Sequence, residues 1–248
     1  MTLYMIGLGL GDEKDISIKG LEIVKRCKKV FLEIYTSKLS IFGNNNGIDK
    51  LEEFYGKKII VADREMVEKR SEEILIDAKE GDVAFLVVGD AFGATTHTDI
   101  RLRANEKRID VKVVHNASIV NAIGEVGLEL YKFGKITTIP LDNENIKSPI
   151  QAIEKNKKNG MHTLVLFDIK AEEEKLMNAN EAIAYLLREG FSGEDKVVVC
   201  SKIGSDDRKI IYGKLNELKD MKFDKYPQCL IVPGELHFME EEALKLWE

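Results

Sequence analysis

The chain has 248 residues and a formal net charge of −6, which argues against nucleic-acid binding through a basic face. Its 44% apolar and 32% charged residues are typical of a soluble globular protein. No apolar run approaches the roughly 20 residues that span a bilayer, and Met1 leads directly into a predicted strand, so we expect no membrane partner and no signal peptide.

Strands and helices alternate through the first half of the chain. Strands are predicted over residues 3–6, 29–35, 58–62, 83–88 and 110–114. Helices are predicted over residues 18–29, 48–55, 64–79 and 96–107, with another starting at Ser118, and Ser17 is a candidate cap for the first of them. The run Asn44-Asn45-Asn46-Gly47 is predicted to be a loop. This alternation predicts a mainly parallel sheet with helices on both faces.

The pattern changes after a polar stretch at residues 140–149, which suits a linker. Beyond it, helices are predicted over residues 150–158, 179–189 and 239–247, and strands over residues 162–168, 196–202, 209–213 and 228–232. The spacing of the strands at 196–202 and 209–213 is that of a hairpin. We therefore predict an α/β fold of two α/β domains, residues 1–140 with the parallel sheet and residues 141–248 with a mixed sheet.

Two glycine-containing loops follow predicted strands. Gly7-Leu8-Gly9-Leu10-Gly11-Asp12 ends the first strand, and Gly89-Asp90-Ala91-Phe92 ends the buried run at residues 83–88. In open α/β sheets, ligands bind beyond the carboxyl ends of the strands. Asp90 is therefore a candidate ligand-binding carboxylate, and the pair of loops indicates a nucleotide-like cofactor.

The first loop allows two kinds of cofactor. Its glycines resemble a dinucleotide-binding motif, and Glu33 ends the next strand, where an acid that binds ribose would lie. However, Asp12, Glu13 and Asp15 crowd the loop where a pyrophosphate would need bare amide groups. S-adenosylmethionine carries a sulfonium cation and no phosphate, so these carboxylates favour it over NAD(P). A plain strand-to-helix turn, with Asp90 as a turn residue, is the non-functional alternative.

Segments throughout the chain resemble the diphthine synthase family, which belongs to the tetrapyrrole-methylase-like class of S-adenosylmethionine-dependent methyltransferases. They are Leu3-Tyr4-Met5-Ile6-Gly7-Leu8-Gly9-Leu10, Gly89-Asp90 with Ala94-Thr95-Thr96-His97, His115-Asn116-Ala117-Ser118-Ile119, Tyr131-Lys132-Phe133-Gly134, His162-Thr163-Leu164 with Asp168-Ile169-Lys170, and Val232-Pro233-Gly234-Glu235-Leu236-His237. Their order and spacing together are specific. One departure is Ala91, where the wider class usually has proline, and its loss frees the backbone there.

The resemblance implies a tetrapyrrole-methylase-like fold with S-adenosylmethionine in the cleft between two α/β domains, and a homodimer. It implies a protein partner, translation elongation factor 2, on which one histidine carries a 3-amino-3-carboxypropyl group whose amine is trimethylated to diphthine. The cofactor-binding residues it implies are Leu10, Asp90, Gly93, Ser118, Ile119, Phe167, Ile203 and Gln228. Of these, Ile203 and Gln228 depend on weaker local matches.

The sequence does not identify a catalytic base, and it predicts no metal site. His97 and His115 lie near strand ends and could accept protons, but a structural role is the simpler interpretation of each. Cys27, Cys200 and Cys229 are far apart, which predicts reduced thiols and a cytoplasmic location. Scarce glutamine beside abundant Lys, Glu and Ile favours a thermophilic source. Two rival functions stay open: methylation of a corrin or porphyrin precursor, and non-catalytic binding of an adenine nucleotide.

Overall fold

The computed structural model describes residues 1–35, 47–170, 173 and 175–248. Its contacts divide the chain into two compact units, Met1–Val120 and Asn121–Glu248. Each unit has its own sheet and its own buried cluster of apolar side chains. Residues 44–46 of the predicted asparagine-rich loop lie outside the described residues, and Gly47 is the first residue of a helix.

The first unit is built on a parallel sheet. Its strands are β1 (Thr2–Gly7), β2 (Lys29–Glu33), β3 (Ile60–Ala62), β4 (Val83–Val87) and β5 (Asp110–Val114), and its helices are α1 (Ile18–Arg26), α2 (Gly47–Tyr55), α3 (Arg64–Glu68), α4 (Glu72–Glu80) and α5 (Thr98–Glu106), followed by α6 (Ile119–Ala122). The strand order is β3-β2-β4-β1-β5, and every pairing between these strands is parallel. The parallel α/β sheet predicted from the sequence is confirmed.

Both faces of this sheet are covered. Successive side chains of a strand point to opposite faces. Ile6 and Leu86 belong to the buried cluster on one face, while Met5 and Phe85, which alternate with them, are fully buried on the other. This explains why β4 reads as a continuous apolar run rather than an alternating one.

The predicted helix over residues 64–79 is two helices, α3 and α4. Asp63 caps the first of them. The N–H groups of Lys69 and Arg70 both donate to the carbonyl of Glu65, which closes α3 before the chain starts again at α4. The residues predicted to face inward are buried in both helices: Val67, Ile74 and Leu75.

The second unit carries a mixed sheet, as predicted. Its strands are β6 (Thr137–Ile139), β7 (Thr163–Phe167), β8 (Ile169–Lys170), β9 (Lys175–Leu176), β10 (Lys196–Ser201), β11 (Lys209–Lys214) and β12 (Gln228–Val232), and its helices are α7 (Ser148–Lys158), α8 (Ala179–Arg188), α9 (Leu215–Leu218) and α10 (Phe238–Leu244). The larger sheet has the order β11-β10-β12-β7-β6, and β8 pairs with β9 alone. Strands β10, β11, β12 and β7 pair antiparallel, whereas β6 pairs parallel to β7.

The boundary between the two units lies between Val120 and Asn121, about 20 residues before the domain boundary predicted at residue 140. Strand β6 was not predicted, and it pairs with β7 from Thr137↔Val165 to Ile139↔Phe167. The carbonyl of His162 also accepts a hydrogen bond from the N–H of Gly134 at 2.9 Å. These contacts join residues 134–139 to the second unit, which begins at Asn121.

Candidate functional site

Three loops leave the carboxyl edge of the first sheet side by side. In the strand register, Gly7 is paired with Val87 and Ile6 with Val114, so β1, β4 and β5 end at the same level. We call residues 8–15, 88–97 and 115–118, which follow these strands, the carboxyl-edge loops. Gly9 and Gly89 join the first two loops by reciprocal backbone hydrogen bonds of 3.1 and 2.8 Å. Five of the residues implied by the resemblance lie here or at the start of α6: Leu10, Asp90, Gly93, Ser118 and Ile119.

Glycine is required at two close approaches in the carboxyl-edge loops. A Cβ built on Gly93 would lie 2.7 Å from Oγ and 2.9 Å from Cβ of Ser118. Gly9 has a φ of +81°, and a Cβ there would lie 2.6 Å from Cβ of Asp15. Gly93 therefore lets the second and third loops pack against each other, and Gly9 lets the first loop close on its own Asp15.

The carboxylate of Asp15 occupies the first glycine loop. Its Oδ2 accepts hydrogen bonds from the backbone N–H groups of Leu10 at 3.2 Å and Gly11 at 2.7 Å. These are amides that a pyrophosphate would need at such a loop. The loop therefore presents an internal anion where a dinucleotide-binding loop presents bare donors, which argues against NAD(P).

Asp90 organises the second and third carboxyl-edge loops. Its Oδ1 accepts from the N–H of Phe92 at 3.0 Å, and its Oδ2 accepts from the N–H of Asn116 at 3.1 Å and contacts Nδ1 of His115 at 2.8 Å. Burial by itself would raise the pKa of this carboxyl, but the three hydrogen bonds outweigh burial and hold the pKa below its ordinary value. Asp90 is therefore ionised at neutral pH, and its side chain remains 14% exposed.

The two histidines that the sequence left undecided have opposite environments. His115 lies in the third loop with its side chain 72% exposed. His97 is buried, its Nδ1 bonds the carbonyl of Ala91 at 3.1 Å, and burial lowers its pKa. Nε2 of His97 lies 3.6 Å from Oε2 of Glu33, which is also buried. Glu33 therefore cannot serve as an acid that binds ribose, the role that the dinucleotide interpretation gave it.

Ala91 stands where the wider class usually has proline, and side chains hold its loop instead. Ala91 is fully buried. Its carbonyl accepts from Oγ1 of Thr95 at 2.8 Å as well as from His97. The two bonds hold the backbone that proline would otherwise restrict.

The other three residues implied by the resemblance share one edge of the second sheet. Phe167 ends β7, Gln228 begins β12 opposite Ser201, and Ile203 follows β10. All three are buried. The side chain of Gln228 is engaged within its own unit, because Oε1 accepts from the N–H of Ala179 at 2.8 Å and Nε2 donates to the carbonyl of Lys225 at 2.8 Å. Both ends of its side-chain amide are thus hydrogen-bonded within the unit, so a cofactor contact at Gln228 would involve its backbone.

A buried ionic cluster in the second unit was not predicted. The carboxylate of Glu240 is 1% exposed and accepts from Nζ of Lys132 and from Nε2 of His162, the latter at 2.9 Å. It also accepts from the N–H groups of Glu129 and His237. Burial would raise the pKa of Glu240, but these donors lower it to about 2. Its members are far apart in the sequence, so no local pattern reveals the cluster.

Within the described ranges, no group of three or more His, Cys, Asp or Glu side chains is arranged to hold a metal ion. No helix in the same part of the chain is long and apolar enough to cross a membrane. The three cysteines are free and buried. In the carboxyl-edge loops, the carboxylates of Asp15 and Asp90 accept hydrogen bonds from backbone N–H groups of Leu10, Gly11, Phe92 and Asn116. Such loops fit a cationic cofactor without phosphate, which is the chemistry of S-adenosylmethionine.

Comparison with known proteins identifies the family. Residues 2–219 match the model of the Tetrapyrrole (Corrin/Porphyrin) Methylases. A diphthine methyl ester synthase of Dictyostelium discoideum is 46% identical, over 98% of this chain and 96% of its own. A diphthine synthase of Methanocaldococcus jannaschii is 41% identical, over 98% of this chain and 97% of its own. A crystal structure of diphthine synthase superposes with a TM-score of 0.91 and 35% identity, covering all of this chain and 96% of that one.

The chain belongs to the tetrapyrrole methylase family, whose members use S-adenosylmethionine as methyl donor. Within that family it is a methyltransferase of the diphthine synthase group, which serves diphthamide biosynthesis. The family assignment and the enzymatic activity predicted from the sequence are confirmed, and the non-catalytic alternative is wrong. The relatives matched over their whole length favour the diphthine branch over a corrin or porphyrin substrate.

Proposed function

We propose that this enzyme methylates the amino group of the 3-amino-3-carboxypropyl group that one histidine of translation elongation factor 2 carries, and thereby forms diphthine. The observation that carries the proposal is the 41–46% identity to diphthine synthases and diphthine methyl ester synthases over nearly the whole chain. The carboxyl-edge loops support it, because their carboxylates favour a sulfonium cofactor.

The proposed cofactor contacts are those that the resemblance implies. In the first unit they are Leu10, Asp90, Gly93, Ser118 and Ile119, and in the second unit Phe167, Ile203 and Gln228. S-adenosylmethionine supplies a methyl group that is already activated for displacement by an amine. The chain's own task is therefore to hold the amine in line with the methyl group, within about 3–3.5 Å, and to exclude competing groups.

Mass spectrometry of the substrate protein tests this function. Elongation factor 2 with and without the aminocarboxypropyl group is incubated with the enzyme and S-adenosylmethionine. We expect a gain of three methyl groups on the modified factor alone, because unmodified imidazole lacks the arm that carries the amine to the donor. Methylation of both forms, or of a tetrapyrrole instead, would contradict the proposal.

A second candidate product is the methyl ester of diphthine, in which the carboxylate of the same group takes a fourth methyl. The observation in its favour is that the Dictyostelium relative, named a diphthine methyl ester synthase, is more similar to this chain than the Methanocaldococcus diphthine synthase, at 46% against 41% identity. Mild alkaline treatment separates the products, because it removes an ester methyl and leaves three methyls on nitrogen.

We also propose that the enzyme acts as a homodimer in the cytoplasm, where its protein substrate works. The resemblance supports the homodimer, and the three free, buried cysteines support the cytoplasmic location. Light scattering coupled to size-exclusion chromatography measures the assembly directly, and a particle with the mass of one chain at micromolar concentration would contradict it.

A further inference from the structure

We infer that His115, oriented by Asp90, accepts the proton that the substrate amine releases before each methyl transfer. The inference deepens the proposed function and rests on it. It starts from a contact that joins two carboxyl-edge loops, Nδ1 of His115 at 2.8 Å from Oδ2 of Asp90.

The hydrogen bonds of Asp90 determine which nitrogen of His115 carries the proton. An ionised carboxylate can only accept hydrogen bonds. Asp90 is ionised at neutral pH because three donors keep its pKa low. Nδ1 of His115 is therefore the nitrogen with the N–H, and in the neutral imidazole Nε2 carries a lone pair. A carboxylate that fixes the tautomer in this way leaves the opposite nitrogen as a proton acceptor.

The position of His115 suits such a role. The 72% exposed side chain can pass a proton on to solvent. The same turn of chain continues into Ser118 and Ile119, two proposed cofactor contacts, and Asp90 itself is a third. His97, by contrast, is buried and bonded to Ala91, so it cannot take a proton from an external amine.

Apart from Asp90, the charged side chains near His115 contact other groups rather than its imidazole. Asp15, whose carbonyl accepts from Nδ2 of Asn116 at 2.9 Å, has its carboxylate on the amides of the first loop. Lys112 on β5 pairs with Asp110 at 3.6 Å. The charged group that contacts the imidazole is therefore Asp90, and the contact is made at Nδ1.

The proton balance of the reaction requires an acceptor. An ammonium group must lose a proton before its nitrogen lone pair can form the new N–C bond, while the C–S bond breaks and its electron pair stays on sulfur. The methylated nitrogen is again a cation with N–H bonds, so it must lose another proton before the second transfer and again before the third. The final trimethylammonium group has no N–H. Methylation of the carboxylate releases no proton and needs no base.

Three variants separate proton transfer from a structural role. In His115→Asn, the side-chain amide keeps a donor near the position of Nδ1 and lacks Nε2. In His115→Ala both nitrogens are missing, and added imidazole can replace the acceptor. His237→Asn is the control, since His237 is exposed in the other unit and its Nδ1 accepts from the N–H of Met239. For each, the affinity for S-adenosylhomocysteine and the rate of each methyl transfer are measured between pH 6 and pH 9.

We expect His115→Asn to bind S-adenosylhomocysteine within about twofold of the wild type and to transfer methyl groups about 100-fold more slowly at pH 7. The deficit should shrink towards pH 9, because a growing fraction of the substrate amine then loses its proton to water without a base. Unmethylated and monomethylated forms should accumulate. Imidazole should restore activity to His115→Ala, and His237→Asn should match the wild type.

A wild-type rate in His115→Asn would overturn the inference. So would a deficit that is equal at every pH and that imidazole does not relieve, since that result indicates a structural role. A wild-type enzyme that leaves the aminocarboxypropyl amine unmethylated would overturn the proposed function itself, and the two failures are distinguished because the variants are compared with an active wild type.

Discussion

Asp90 has a larger structural role than a side chain that only binds ligand, because it bonds three groups from two loops. In Asp90→Asn the amide cannot accept from Asn116 and His115 as a carboxylate does. We expect the affinity for S-adenosylhomocysteine to fall at least about tenfold, since a hydrogen bond to a charged group is worth about 1.5–3 kcal/mol. Titration calorimetry measures the loss. Asp99→Asn, at an exposed carboxylate of α5, is the control, and normal binding by Asp90→Asn would show that Asp90 is dispensable.

Glu240 predicts a pH-dependent contribution to stability. Its pKa is lowered to about 2 in the folded chain, against about 4.3 for an ordinary glutamate. A lowered pKa stabilises the fold fully above the unfolded value, and the contribution disappears as pH falls from about 4.5 to about 2. We expect Glu240→Gln to lose about 2–3 kcal/mol of unfolding free energy at pH 7.

Urea unfolding of the wild type and Glu240→Gln at pH 7 and pH 3 measures this contribution. The difference between them should be smaller at pH 3, where the Glu240 carboxyl of the unfolded chain is protonated while that of the folded chain stays mostly ionised. Glu241→Gln is the matched control, because it changes an exposed glutamate of the same helix. A difference that is the same at both pH values would show that the ionic cluster does not contribute through its charge.

At the scale of elements, the packing of the second and third carboxyl-edge loops depends on the missing side chain at Gly93. Gly93→Ala would place a methyl group 2.7 Å from Oγ of Ser118, and overpacking of this kind costs about 1–3 kcal/mol. We expect the same substitution to cost less in a Ser118→Gly background, because the two sites are in contact. Thermal unfolding of the four proteins in this double-mutant cycle measures the coupling, and additive effects would exclude the contact.

Elements with a strong local pattern are predictable from the sequence, and those that depend on distant contacts are not. Strands β5 and β12 match the predicted ranges 110–114 and 228–232, because β5 alternates polar residues with valine and β12 is a short, mostly apolar run. Strand β6 has three residues and exists through its pairing with β7. Helix α1 ends at Arg26 rather than at residue 29, because buried Cys27 is extended and its carbonyl accepts from Nζ of Lys57 at 2.9 Å.

At the candidate site, sequence reasoning identifies the loops but not their internal bonds. The glycines and Asp90 stand out because they follow apolar strands. The bond between Asp90 and His115 joins residues 25 positions apart, and it depends on β4 and β5 ending at the same edge on either side of β1. Spacing along the chain contains no signal for such a pair, so the histidine could be judged only as structural or undecided.

For the whole molecule, cofactor choice should appear as a change in thermal stability. A ligand that binds only the folded state stabilises it by about 2.7 kcal/mol at a concentration 100 times its dissociation constant. We expect S-adenosylhomocysteine to raise the melting temperature and NAD to leave it unchanged. Differential scanning calorimetry measures both, with Asp90→Asn as the variant that should lose the response. A rise with NAD alone would contradict the assignment of the cofactor.

The carboxylate of Asp15 competes with external anions for the backbone amides of the glycine loop. It is four and five residues from the amides it binds, and a group tethered so closely has an effective concentration in the millimolar range or above. A cellular phosphate must displace the Asp15 carboxylate to reach those amides. A cation does not compete with Asp15, because it does not bind N–H donors. Asp15 lies outside the glycine pattern, so a search for that pattern alone would not reveal that these amides already bind a carboxylate.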